Sequence, residues 1–210
     1  VSDGTRNVQY GYDANGNLTS YKNTLGKETK FQYDLPGRMT KLFYPSKPTV
    51  SYATNVYDSL GRVKRQTNAH GQAYDYYFAG SRSEEVGPGN VSLVSYVDAH
   101  GKALKTVNPL GKVTRNTYDG QTRLIRTELP EGNRVEYVYD DAPCAAQKRC
   151  THNVKTLREI PKSGSGLPVL VSSFSYNNTH NKVKSAMDAR GNTTNYTFTT
   201  RGEPLTVQAP

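Results

Sequence analysis

The chain has 210 residues, of which 34% are hydrophobic and 21% charged, with 16 Tyr, five Phe and no Trp. That is too little aliphatic material for an ordinary compact core of this length, and no apolar run is long enough to span a membrane as a helix. A balance of 27 Lys and Arg against 18 Asp and Glu leaves a net charge of +9, which turns attention to acidic partners.

Read from the N-terminus, Tyr12-Asp13-Ala14-Asn15-Gly16 returns as Tyr33-Asp34-Leu35-Pro36-Gly37 and as Tyr57-Asp58-Ser59-Leu60-Gly61. With Val in place of Tyr it returns again as Val97-Asp98-Ala99-His100-Gly101, and weaker copies begin at Tyr77, Tyr118, Tyr139, Tyr176 and Phe198. Successive starts lie 21, 24, 20, 20, 21, 21, 37 and 22 residues apart, so a period close to 21 runs through the chain with a single long interval. A second turn signal falls inside many intervals, at Asn23 to Gly26, Asn68 to Gly71, Asn108 to Gly111 and Asp188 to Gly191. Asp or Asn at the first position can accept from its own downstream amides, and Gly at the fourth can take φ > 0, so each signal predicts a bulged hairpin turn.

Two turns per repeat predict two strands per repeat. Segments such as Lys27 to Tyr33 and Asn133 to Tyr139 are rich in Thr, Val and Tyr with partial alternation, and no window has a helical period. The expected fold is therefore all-β: tandem β-hairpins in one antiparallel array of about nine units over residues 1–210, with a half-wetted sheet and Tyr as a packing residue. The repeat-defining set is Tyr12, Asp13, Gly16, Tyr33, Asp34, Gly37, Tyr57, Asp58, Gly61, Asp98, Gly101, Tyr118, Asp119, Tyr139 and Asp140.

The long interval predicts an insertion at about 141–168, which carries Cys144 and Cys150. A Cys-x5-Cys spacing does not suit a zinc ribbon. A disulfide closing a projecting loop is the expected pairing, with two reduced thiols the alternative, and it would place the protein in an oxidising compartment: secreted, periplasmic or at the bacterial cell surface. Pro161 to Pro168 is expected to be a flexible turn and not a domain linker.

Catalytic signatures are missing from the sequence: there is no Gly-x-Ser-x-Gly, no phosphate loop, no dinucleotide fingerprint and no His-Glu-x-x-His. His70, His100, His152 and His180 are expected to be solvated turn residues, and turn capping accounts for the repeated Asp residues without acid-base chemistry. No catalytic residue, metal site or cofactor is expected.

Basic residues follow the turn Gly at Lys27, Arg38, Arg62, Lys102 and Lys112, with Arg123 at the matching place in a weaker unit. Arg38, Arg62, Lys102 and Arg123 belong to the Tyr-Asp rim and would stack into a cationic ladder, a candidate binding rim for anions or glycans. Solubility of the rim is the competing explanation. Nucleic acid is not expected, since no reader motif accompanies the charge.

Units of the form Tyr-Asp-x-x-Gly-[Arg/Lys]-[Leu/Met/Val] at this period resemble the YD repeats of RHS proteins, and the resemblance covers essentially the whole chain. Asn108 to Thr114 and Asp188 to Phe198 are similar to common forms of the unit. The resemblance implies a curved, spiralling sheet of hairpins, the arc of a shell that in larger family members encloses a C-terminal toxin and in related animal proteins forms an extracellular barrel. It implies flanking repeats and a polypeptide cargo as partners, with acidic or neutral glycans as an alternative. The Asp-Pro motif of the family's core segment is missing, and Val1 together with the strand-like Leu205 to Pro210 reads as a piece of a longer protein.

Overall fold

The computed structural model describes residues 6–140 and 151–210, so Cys144 and Cys150 lie outside the described residues. Eighteen β-strands and no α-helix are found among the described residues, two strands for each of the nine repeat starts, which agrees with the all-β hairpin array expected from the turn signals. Contacts divide the chain into two units, residues 1–99 and 100–210.

Unit 1 is an antiparallel meander of nine strands: β1 Gln9–Tyr12, β2 Leu18–Lys22, β3 Glu28–Leu35, β4 Arg38–Phe43, β5 Ala53–Tyr57, β6 Val63–Asn68, β7 Ala73–Ala79, β8 Arg82–Gly87 and β9 Val91–Val97. Each strand pairs with the next in sequence, from β1 with β2 through β8 with β9. Unit 2 repeats the plan with β10 Ala103–Val107, β11 Val113–Tyr118, β12 Leu124–Glu128, β13 Arg134–Tyr139, β14 Val154–Ile160, β15 Leu170–Tyr176, β16 Val183–Met187, β17 Thr193–Phe198 and β18 Pro204–Gln208. Its strands also pair in sequence order.

The turns form as their chemistry dictates. At Asp58 the carboxylate Oδ1 accepts from the backbone amides of Leu60 and Arg62, both at 2.9 Å. Meanwhile the Asp58 carbonyl accepts from Gly61, whose φ of 76° permits the closure. Asp13, Asp119 and Asp188 cap their turns in the same way, as do Asn23, Asn68 and Asn108 at mid-repeat turns. Asp34 departs from the pattern because Pro36, two residues on, has no amide hydrogen to offer. Here β3 and β4 continue to the pair Leu35 and Arg38, and the Asp34 carboxylate turns to the Arg38 side chain instead.

Within the stretch expected as an insertion, residues 154–160 form β14, in register with β13 from Arg134↔Ile160 to Tyr139↔Val154. Asp140 donates its amide to the carbonyl of Asn153, the same closure that Asp119 makes with Arg123. The extra length therefore falls between Asp140 and Asn153, on the loop between β14 and β15, and on longer strands.

No large side chain is fully buried among the described residues. The most enclosed polar side chains are Asn17, Asn55 and Arg123, at 8–9% exposure, so the best-shielded groups are polar ones held by hydrogen bonds.

Candidate functional site

The hairpin that carries each Tyr-Asp pair has an irregularity just before the aromatic residue. Register shifts occur at Gly11/Tyr12, Gln32/Tyr33, Val56/Tyr57, Thr117/Tyr118, Val138/Tyr139, Ser175/Tyr176 and Thr197/Phe198. Such a bulge tips the aromatic ring out of simple alternation. The phenol then reaches back to the preceding repeat. Tyr33 donates its hydroxyl to the Leu18 carbonyl at 3.0 Å and Tyr57 to that of Met39 at 2.5 Å. In unit 2 Tyr118 donates to Ala103 at 3.2 Å, Tyr139 to Leu124 at 2.9 Å and Tyr176 to Val154 at 2.8 Å. Each acceptor lies near the start of the strand that follows the preceding repeat's turn, so one bond type ties these five repeats to their neighbours.

An amide often reinforces it. Asn55 Nδ2 donates to the same Met39 carbonyl at 3.1 Å while its Oδ1 accepts from Gln66 Nε2 at 2.9 Å. Asn116 copies this, donating to Ala103 at 3.0 Å and accepting from the Thr127 hydroxyl at 2.9 Å. At the first hairpin Asn17 plays a related part, donating to Asp13 Oδ2 and accepting the Gly37 amide of the next repeat at 2.7 Å.

The rim cations expected as a ladder are placed in a shared arrangement. Arg38 forks onto Asp34 at 2.7 and 2.8 Å and lays its guanidinium 5.1 Å from the centre of the Tyr57 ring. Arg62 bonds Asp58 at 2.8 Å and lies 4.6 Å from the Phe78 ring. Arg123 bonds Asp119 at 2.7 Å, covers Tyr139 at 4.6 Å and donates to the Thr151 carbonyl. Its side chain is only 7% exposed, which removes it as a contact for an outside ligand. Lys182, not singled out from the sequence, covers Phe198 at 5.5 Å and donates to the Gly202 carbonyl. Lys102 is exposed on the turn that follows Gly101. An ion pair within one repeat and a cation-π contact to the next thus recur together.

The electrostatics follow. The Arg38 side chain holds the Asp34 carboxyl below the ordinary carboxylate range. Asp58 is lowered first by the Arg62 backbone amide and then by its guanidinium, and Asp13 by the Asn17 side-chain amide. At Asp119 burial is the largest influence and pushes upward, but the Arg123 amide and side chain outweigh it and the net direction is down. Burial pushes the Tyr139 and Tyr176 hydroxyls up.

One register differs from expectation. The sequence spacing puts the fourth repeat start at Tyr77, but the hairpin of β7 and β8 continues without a bulge to Ala79↔Arg82, and the ring beneath Arg62 belongs to Phe78. Without the bulge, the position that faces the preceding rim falls one residue later. In the weaker unit at Tyr118, Thr122 occupies the turn position that Gly holds elsewhere, at φ 61°.

Histidines are scattered: His70 sits on the mid-repeat turn capped by Asn68, while the His180 ring packs by Gly202. Among the described residues no group of three or more His, Cys, Asp or Glu is placed to hold a metal ion. Two tyrosine pairs lie outside these rim contacts: exposed Tyr10 with half-buried Tyr21, centroids 5.5 Å apart, and the exposed Tyr44 and Tyr52 at 4.5 Å.

Comparison with known proteins gives a consistent picture. The family described as Teneurin YD-shell matches over residues 2–159. The Tc holotoxin pore of Photorhabdus luminescens superposes with a TM-score of 0.60 at 15% identity, covering 95% of this chain and 12% of that one. The TcdB2-TccC3 crystal structure, and the same assembly with Cdc42, each give a TM-score of 0.63 at 15% identity, covering 98% of this chain and 12% of theirs. This chain therefore spans about one eighth of the length of those structures, and the likeness is one of fold.

Proposed function

From the premise that the chain belongs to the Teneurin YD-shell family, we propose that it is a non-catalytic, load-distributing segment of a larger β-sheet shell. That shell belongs to a secreted or cell-surface protein and encloses or presents a polypeptide, a toxin in the bacterial case. The observation that carries the proposal is the internal use of the repeated side-chain chemistry. Tyr hydroxyls donate to backbone carbonyls of the preceding repeat, and rim arginines pair with the Asp of their own turn while covering a ring of the next repeat, as at Asp58, Arg62 and Phe78. A wall needs just this: many equivalent short-range ties and no single site.

The structural neighbours support the context, being parts of a holotoxin pore and of TcdB2-TccC3 assemblies. The single array of about nine units, flanked by further repeats, belongs to the same proposal, and so does pairing of Cys144 with Cys150 in an oxidising compartment. Protease challenge of the complete gene product tests it. A polypeptide C-terminal to the repeats should resist digestion until the repeats are unfolded; digestion at the rate of the isolated polypeptide would rule out enclosure.

A carbohydrate-binding or adhesive role is the second reading, favoured by the exposed Tyr44 and Tyr52 pair, at 41% and 51% exposure. That pair follows the end of β4 opposite to Arg38, so the rim cations do not sit beside it. A glycan array at two salt concentrations, with Arg38→Ala/Arg62→Ala beside the natural protein, separates the readings. Saturable, sugar-selective binding would establish recognition.

A further inference from the structure

One face of the first strands of unit 2 is basic in a way the repeat chemistry does not require. In β10 and β11, Lys105 stands directly opposite Arg115. Arg115 is exposed and makes no ion pair among the described residues. On the same face Arg126 stands opposite Glu136, and Glu136 opposite Arg158. Glu136 is shared by three arginines, with Arg134 at 3.0 Å, Arg126 at 3.3 Å and Arg158 at 3.6 Å. One carboxylate cannot satisfy three forks of five donors each. With Glu128 opposite both Arg115 and Arg134, the face holds five cations against two carboxylates.

The reverse face of these strands carries Thr106, Thr114, Asn116, Thr127, Val135, Tyr137 and Leu157, with the single opposite pair of Lys155 and Glu159 in β14 as its charge. Charge is thus segregated to one side. An open depression of about 490 Å³ lies beside the patch, bordered by Lys112, Arg115, Glu128 and Arg134.

We infer that this strand face binds an acidic polypeptide segment. Four of its five cations are arginines, whose planar forks match carboxylates two bonds at a time. Glu128 and Glu136 stand between the cations, so a polymer with uniformly dense charge would be forced against them. A polypeptide with carboxylates on alternate residues can place neutral groups there. This surface is separate from the Tyr-Asp rim, and the inference holds whether the bound segment is enclosed by a shell or comes from outside.

The test is fluorescence anisotropy of the whole chain with a labelled peptide of alternating Glu and Ser, its Gln counterpart, heparin and single-stranded DNA, at low and physiological salt. Arg115→Ser/Arg126→Ser/Arg158→Ser should weaken Glu-peptide binding about tenfold or more. Arg38→Ala/Arg62→Ala on the rim should leave it unchanged. Arg115→Ser alone removes a residue without an ion pair and keeps the fold, so a loss of about threefold there guards against an unfolded triple variant. Absence of Glu-peptide binding, equal binding of the Gln peptide, an equal loss in the rim variant, or tighter binding of heparin or DNA at both salts would overturn the inference.

Discussion

Replacing Gly61 by Val tests the turn mechanism most directly, because geometry isolates the cost. Gly61 has φ 76°, and a Cβ added there meets no atom within 4 Å, so no clash contributes. What remains is the penalty for an L-residue in the left-handed region, about 1–2 kcal/mol, with a β-branched residue at the upper end. A unit of residues 1–99 that melts cooperatively loses about 4–8 °C per kcal/mol, so the midpoint should fall by roughly 5–15 °C. Gly61→Asn is the control: Asn90 and Asn181 already adopt φ 61° and 51°, so it should keep most of the stability. Thr122→Gly is the reverse experiment, relieving a β-branched residue at φ 61° and raising stability by up to about 1 kcal/mol after the greater freedom of Gly in the unfolded chain is counted. Circular dichroism melts with urea titration read all three. An unchanged midpoint for Gly61→Val, or a loss in Thr122→Gly matching that of Gly61→Val, would refute the assigned register.

Tyr139→Phe leaves the Leu124 carbonyl without its donor and should cost about 1 kcal/mol by urea titration. Asn55→Leu removes one of the two donors to the Met39 carbonyl, which keeps Tyr57, and leaves Gln66 Nε2 without its acceptor, and a loss of about 1–3 kcal/mol is expected from the same measurement. Asp13, Asp34, Asp58, Asp75, Asp119 and Asp188 are all held below the ordinary carboxylate range. Their contribution is fully present above about pH 4 and is lost as pH falls through the lowered values, so melting temperature should be level from pH 7 to 5 and drop below about pH 4. Gly202→Ala adds a contact of 3.0 Å to the His180 ring on top of a φ of 82°, and should cost more than Gly61→Ala in parallel melts.

Hairpin positions were legible because Asp-x-x-Gly and Asn-x-x-Gly carry their own mechanism: a carboxylate or amide oxygen and a residue free to take positive φ sit in one short window. Contacts between repeats were not legible, since they join residues about 15 to 20 apart whose partner is a backbone carbonyl. Tyr57 and Met39 illustrate this: nothing in Met39 itself announces that its carbonyl will accept two side chains. A faint signal existed in Asn-x-Tyr-Asp, present at Asn55 and again at Asn116. The rim cations were identified as a set, yet their ring partners were not, because choosing Phe78 over Tyr77 depends on whether the hairpin contains a bulge.

A fold in which, among the described residues, the best-shielded side chains are Asn17, Asn55 and Arg123 and no large side chain is fully buried has a thermodynamic signature. Apolar exposure raises the heat capacity on unfolding and polar exposure lowers it, so the change per residue should fall below the usual 12–15 cal/mol/K, an order-of-magnitude expectation. The stability curve then becomes a shallow dome. Cooling weakens such a fold little, and its enthalpy of unfolding varies slowly with temperature.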